Sequence, residues 1–152
     1  MATGRVLGLD YGTVRVGVAV SDALRVAARP VRSVPADRFA EELPDLVAEL
    51  EPTLVVMGLP IGLSGERGAS VVGAEALAEL VRDTTGLEVV MADERFSSTT
   101  AEELLAAREP DRRRRRQQVD AVAASVTLQG WLDARAAEAR GNPRYAPRSD
   151  PE

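Results

Sequence analysis

Apolar residues recur along this chain with two different periods, and the switches between them outline its elements. Arg5 to Leu9 and Val14 to Val20 are short β-rich runs joined by Asp10-Tyr11-Gly12-Thr13, whose Asp and Gly are turn formers, so they predict a hairpin. Val16, Val18 and Val20 share one face of the second run. Val26 to Val34 predicts a third strand, which Pro30 confines to the edge of a sheet because proline cannot donate to a central ladder. From Asp37, a suitable N-cap, to about Glu51, the spacing of Phe39, Leu43, Leu46, Val47 and Leu50 predicts a helix. Pro44 inside it is expected to kink it or delay its start. Thr53 to Gly58 is an unbroken apolar run between turn residues, as expected of a strand buried on both faces at the sheet centre.

A loop from Leu59 to Gly68 holds three Gly and one Pro and leads into a predicted helix from Ala69 to Asp83. Val72, Ala76 and Leu80 form its expected stripe, and Gly86 supplies a stop. A strand from Leu87 to Met91 is followed by Ala92-Asp93-Glu94-Arg95-Phe96, then by a helix opened by Thr99 with Glu102 completing a capping box. Pro110 breaks the chain, and the Arg112 to Arg116 run is expected to be a mobile segment because adjacent like charges repel. A last helix is expected from about Gln118 to Arg140, and residues 141–152 are expected to be a disordered tail. The order predicts one α/β domain over residues 1–140. Its mixed five-stranded sheet, an antiparallel meander followed by parallel crossover strands, is flanked by helices.

Composition narrows the chemistry. The chain has no Cys and no His, which excludes disulfides, the usual zinc sites, a Cys nucleophile and a Ser-His-Asp triad. Carboxylates remain as the expected catalytic groups, acting alone or holding a hard cation such as magnesium. The formal charge is −5, and all 19 basic residues are Arg. Arg108 to Arg116 hold six of them against Glu109 and Asp111, so one basic segment stands out from an acidic remainder and suits a nucleic-acid backbone. Aromatic residues make up 3% of the chain, too few for stacking on bases to be the main binding mode, and Trp131 is expected to pack in the core or an interface. The stretch from Met1 to Leu9 does not resemble a signal peptide. The longest uncharged stretches, Pro52 to Gly65 and Ala121 to Leu132, fall short of the roughly 20 residues of a membrane span. A cytoplasmic location without membrane contact is expected.

Sites in open α/β sheets collect beyond the carboxyl ends of strands. Asp10 ends the first strand, Glu94 follows the fifth, and Asp120 is expected in the first turn of the last helix. Each has a plain structural role available: a turn former, a surface partner of Arg95, and a favourable charge at a helix start. As a set they point elsewhere. Asp10 directly follows an apolar strand, and Asp120 interrupts an apolar face of Val119, Val122, Ala123 and Val126, where an acid needs a partner. Convergent carboxylates with open water positions suit magnesium and attack on a phosphodiester.

Four stretches resemble the YqgF (RuvX) family: Leu7 to Asp22, reading LGLDYGTVRVGVAVSD, Val56 to Pro60, Asp93 to Ser98, and Val119 to Ala124. They occur in the family's order and the resemblance runs from about Arg5 to Leu132. It implies a ribonuclease H-like fold and either of two activities, 5′-end maturation of precursor 16S ribosomal RNA or resolution of Holliday junctions. It also implies that Asp10, Glu94 and Asp120 are the metal-binding catalytic acids, with Mg2+ as cofactor and Mn2+ as its alternative. The candidate nucleic-acid contacts are Arg15, Arg95, Arg112, Arg113, Arg114, Arg115 and Arg116. Ser64 departs from the Asp, and Val14 from the Lys or Arg, that members often carry. The expected function is a magnesium-dependent endonuclease acting on precursor rRNA or a pre-ribosomal particle, as a monomer or homodimer. Branched DNA is the alternative substrate. Two other classes stay open: a catalytically silent RNA-binding module, and an ATP-dependent kinase or actin-like ATPase suggested by Leu9 to Thr13, which the chain's length disfavours.

Overall fold

Successive residues of β1 (Arg5–Asp10) go to opposite sides: Leu7 and Leu9 enter one apolar cluster, Val6 another. That division runs through the protein. A computed structural model describes residues 3–59, 69–93 and 112–139. Among them β1, β2 (Arg15–Ser21), β3 (Ala28–Pro35), β4 (Pro52–Leu59) and β5 (Val89–Asp93) form one sheet in the order β3-β2-β1-β4-β5. The β1–β2 and β2–β3 pairs are antiparallel, and the β1–β4 and β4–β5 pairs are parallel. The meander and the crossover strands are as predicted, and β3 with Pro30 lies at the edge. The central place belongs to β1 and not to β4, which is interior beside it. Burial on both faces marks any interior strand, so it could not choose between them.

Helices α1 (Phe39–Leu50) and α2 (Ala69–Thr85) cover one face of the sheet, and α3 (Arg112–Ala139) covers the other. Phe39, Leu43, Leu46 and Leu50 of α1 are buried as their spacing predicts. Asp37 is not its cap: residues Ala36–Arg38 form a 3-10 turn whose Ala36 N–H donates to the Val14 carbonyl at 2.8 Å, so α-helical geometry begins only at Phe39. On α2 the expected stripe is corrected. Val71, Ala74, Ala78 and Val81 face the core, while Val72 is exposed. Val72 and Ala76 share their row with Glu79 and Asp83, and those charges turn that row to solvent. Gly86, at φ 71°, ends α2 with its N–H donating to Arg82, as expected.

The last helix also starts earlier than expected, at Arg112 and not near Gln118. Arginine is a good helix former. Like-charge neighbours on a helix cost only about 0.2–0.5 kcal/mol per pair. Extending a helix already nucleated by buried residues such as Ala124 and Leu128 outweighs that repulsion. Helix α3 is also fastened to the edge of the meander. Gln129 accepts from the Ala28 N–H at 2.8 Å and donates to the Val26 carbonyl at 2.9 Å. The turn before Ala28 is held by Asp22, whose carboxylate accepts the Val26 and Ala27 amides. Those amides, Ala27 first, keep its carboxyl below the ordinary value of 3.8. No helix among the described residues is long and apolar enough to cross a membrane. The predicted helix at Thr99, the glycine-rich loop 60–68 and the tail 141–152 lie outside the described residues.

Candidate active site

Parallel β1, β4 and β5 end at a common edge, with Asp10 level with Gly58 and Gly58 level with Ala92. The pleat decides which face each acid takes. Val6 and the position of Gly8 lie against α3, so Asp10, two residues further on, belongs to that same face. On β2 the residue paired with Asp10 is Gly17, and a Cβ there would collide with the Asp120 carbonyl of α3. A Cβ on Gly8 would stand 3.1 Å from the Leu128 side chain. Two strand glycines therefore let the helix backbone settle directly on the sheet, and that seating brings Asp120 to the corner where Asp10 ends β1.

Asp10 is 8% exposed, and the Asp120 side chain is 27% exposed. Arg15 lies two residues before Gly17, on the same face of β2, and its Nε donates to Asp120 Oδ2 at 3.0 Å. This is the partner that an acid bordering an apolar helix face requires. Asp120 also sits well inside α3, two turns past its start, so a favourable charge at a helix terminus does not account for it. Tyr11, next after Asp10, goes to the opposite face, where its ring fills the space left by Gly73 of α2. The end of β1 is thus seated from both sides.

Asp10, Asp120 and Arg15 are brought together at this corner. Glu94 and Arg95 lie outside the described residues; the strand leading to them ends at Asp93, on the common edge. Arg112 to Arg116 begin the helix that carries Asp120, about 6–12 Å upstream along its axis. Trp131 packs against the α3-side cluster with the Arg135 guanidinium 5.0 Å from its ring centre, an internal role as expected. Among the described residues no group of three or more potential metal ligands occurs. Asp10 and Asp120 nonetheless have the chemistry that a hard cation prefers, oxygen donors in a chain without Cys or His. The motif reading missed Gly8, Gly17 and the Arg15–Asp120 pair. The glycines could have been noticed as small positions interrupting apolar strands on one face.

A family model described as RuvX, Holliday junction resolvase, matches residues 4–134. A relative from Anaeromyxobacter sp. (strain K), provisionally named a pre-16S rRNA nuclease, is 43% identical over 135 residues, covering 87% of this chain and 98% of its own length. One from Mycobacterium sp. (strain KMS), with the same provisional name, is 42% identical over 139 residues, covering 88% of this chain and 82% of its own. Among solved structures, Thermus thermophilus RuvC in complex with a Holliday junction substrate has a TM-score of 0.55 at 17% identity, covering 88% of this chain and 96% of that one. The yeast mitochondrial Holliday junction resolvase Ydc2 has a TM-score of 0.59 at 10% identity, covering 94% and 83%. These two likenesses show the fold, which is ribonuclease H-like as the resemblance implied.

Proposed function

The chain belongs to the RuvX family, and from that premise we propose that it is a magnesium-dependent endonuclease hydrolysing phosphodiester bonds at the 5′ end of precursor 16S rRNA. The names of the relatives support the substrate. The observation that carries the chemistry is the seating of Asp120 on Gly17, the residue paired with Asp10, which draws two acids distant in sequence to one corner. Glu94 is proposed as the third acid: it follows β5, which ends at Asp93 on the edge where β1 ends at Asp10. Residues 1–140 are taken as the nuclease domain, and the family match to residues 4–134 supports that span.

Asp10, Glu94 and Asp120 would hold magnesium, or manganese in its place. An ion held there would supply Lewis-acid chemistry for phosphodiester hydrolysis. Asp10 is the more buried of the two described acids, and Asp120 offers its carboxylate from the more open side. Arg15, Arg95 and Arg112 to Arg116 are proposed to bind backbone phosphates, holding the substrate in register without choosing its sequence. Through a bound ion the acids would act on phosphate and water and not on the sugar, so the site would work on RNA or DNA. The family description favours a second reading, cleavage of a four-way DNA junction.

The test is incubation of the protein and its Asp10→Asn variant with labelled precursor rRNA and with a four-way DNA junction, with and without magnesium. Asn keeps the size of Asp and one carbonyl oxygen, so the change isolates the charge. Magnesium-dependent cleavage by the wild type and its loss by several orders of magnitude in a folded variant are expected. Which substrate is cut selects between the readings. Wild-type cleavage by a folded Asp10→Asn variant would sink the mechanism, and RNA binding without cleavage by the wild type would leave only a silent binding module.

A further inference from the structure

The ion pair at the corner joins two groups the proposed reaction needs separately. Asp120 is wanted by a cation, and Arg15 is wanted by a phosphate. In the structure the two are paired, Arg15 Nε donating to Asp120 Oδ2 at 3.0 Å. The two side chains are not equally free to leave it. The backbone of Asp120 is wedged on Gly17, where no Cβ fits, so its carboxylate stays at the corner with the helix. Arg15 carries a long side chain, 39% exposed, on the first residue of β2, whose backbone is paired with Pro35. At 39% and 27% side-chain exposure, solvent partly screens the pair.

We propose that Arg15 is the counter-ion of Asp120 in the metal-free protein, and that a divalent cation taking the Asp120 carboxylate releases Arg15 to grip the nucleic-acid backbone. This rests on the reading of the corner as a nuclease site and assigns Arg15 as a positioning residue within it. Two consequences follow from charge alone. Arg15 competes with the metal, since a guanidinium and a divalent cation on one carboxylate repel. Metal and nucleic acid then bind cooperatively, since each favours the released state, and linkage requires the effect to be reciprocal.

The experiment measures binding and not cleavage, using the full chain. Mn2+ is titrated into the wild type, Arg15→Gln and Arg15→Lys, with free Mn2+ read by electron paramagnetic resonance and folding by thermal melting. The Gln variant is expected to bind Mn2+ about fivefold more tightly and the Lys variant close to wild type. If Arg15 only fastens α3 to β2, a folded Gln variant binds Mn2+ no better or more weakly, and the proposal is overturned. An independent arm needs no variant. The Arg15 Nε–H resonance of the wild type should shift on titration with Mg2+, and an unmoved resonance at Mg2+ saturation overturns it equally. A fluorescein-labelled RNA hairpin, followed by anisotropy, tests the transfer. Calcium should strengthen wild-type binding about two- to fivefold more than that of Arg15→Gln, whereas equal enhancement overturns it. An uncut precursor would count against the nuclease reading and leave these three readouts unmoved.

Discussion

A methyl group at position 17 would have to share the space of the Asp120 carbonyl oxygen. Both sides of that contact are backbone, one in a strand paired on both edges and one in a long helix, so neither can yield cheaply. Gly17→Ala is therefore expected to cost about 1–3 kcal/mol or more by overpacking, and to lower Mn2+ affinity because Asp120 is displaced from Asp10. Gly130 is the control: it lies exposed on the same helix, and a methyl group there would meet nothing within 4 Å, so Gly130→Ala should add about 0.5–1 kcal/mol of stability. Urea midpoints for the two variants, read beside Mn2+ binding, check both signs. Residue identity alone could not rank these glycines. What distinguishes them is the element that lies across each one.

Periodicity locates the helices better than it orients them. Along α2 two rows of apolar residues both have helical spacing, and only the charges sharing the row of Val72 decide that it faces outward. Val71→Ala, emptying a site 1% exposed, is expected to destabilise by about 2 kcal/mol, whereas Val72→Ala, 66% exposed, should stay within about 0.5 kcal/mol. Equal midpoint shifts for the two in urea would contradict the orientation of α2. Helix α3 makes the complementary point. Charge repulsion among neighbouring arginines argues locally for a later start, but the helix downstream has already offset the cost of nucleation by packing on the sheet, chiefly on β2, β3 and β1.

Among the described residues, acids predominate on α1 and α2 and arginines at the start of α3. Glu41, Asp45, Glu49, Glu75, Glu79 and Asp83 are exposed on α1 and α2, whereas Arg112 to Arg116 open α3 on the opposite face of the sheet. A polyanion is therefore expected to approach from the α3 side. Replacing Arg112 to Arg116 by Gln should weaken RNA binding and reduce the slope of log affinity against log salt by up to about 4. Cleavage at saturating substrate should be nearly intact, because affinity and not the corner of acids is altered. An unchanged salt slope would show that the run is a solvated stretch of helix without phosphate contacts.

Strands, most helix positions and the edge place of β3 were legible in the order of residues, because pleat, helical period and the missing N–H of Pro30 are local properties. The four motif stretches likewise pointed to the family that the chain matches over residues 4–134. Which strand is central, which row of α2 is buried and who partners Asp120 were decided only by tertiary structure. Each depends on register and on how closely α3 can approach the sheet. Those are properties of pairs of elements distant in sequence: Gly17 pairs with Asp10 across a turn, and Asp120 reaches it only because two glycine positions let a helix backbone rest where side chains would otherwise stand.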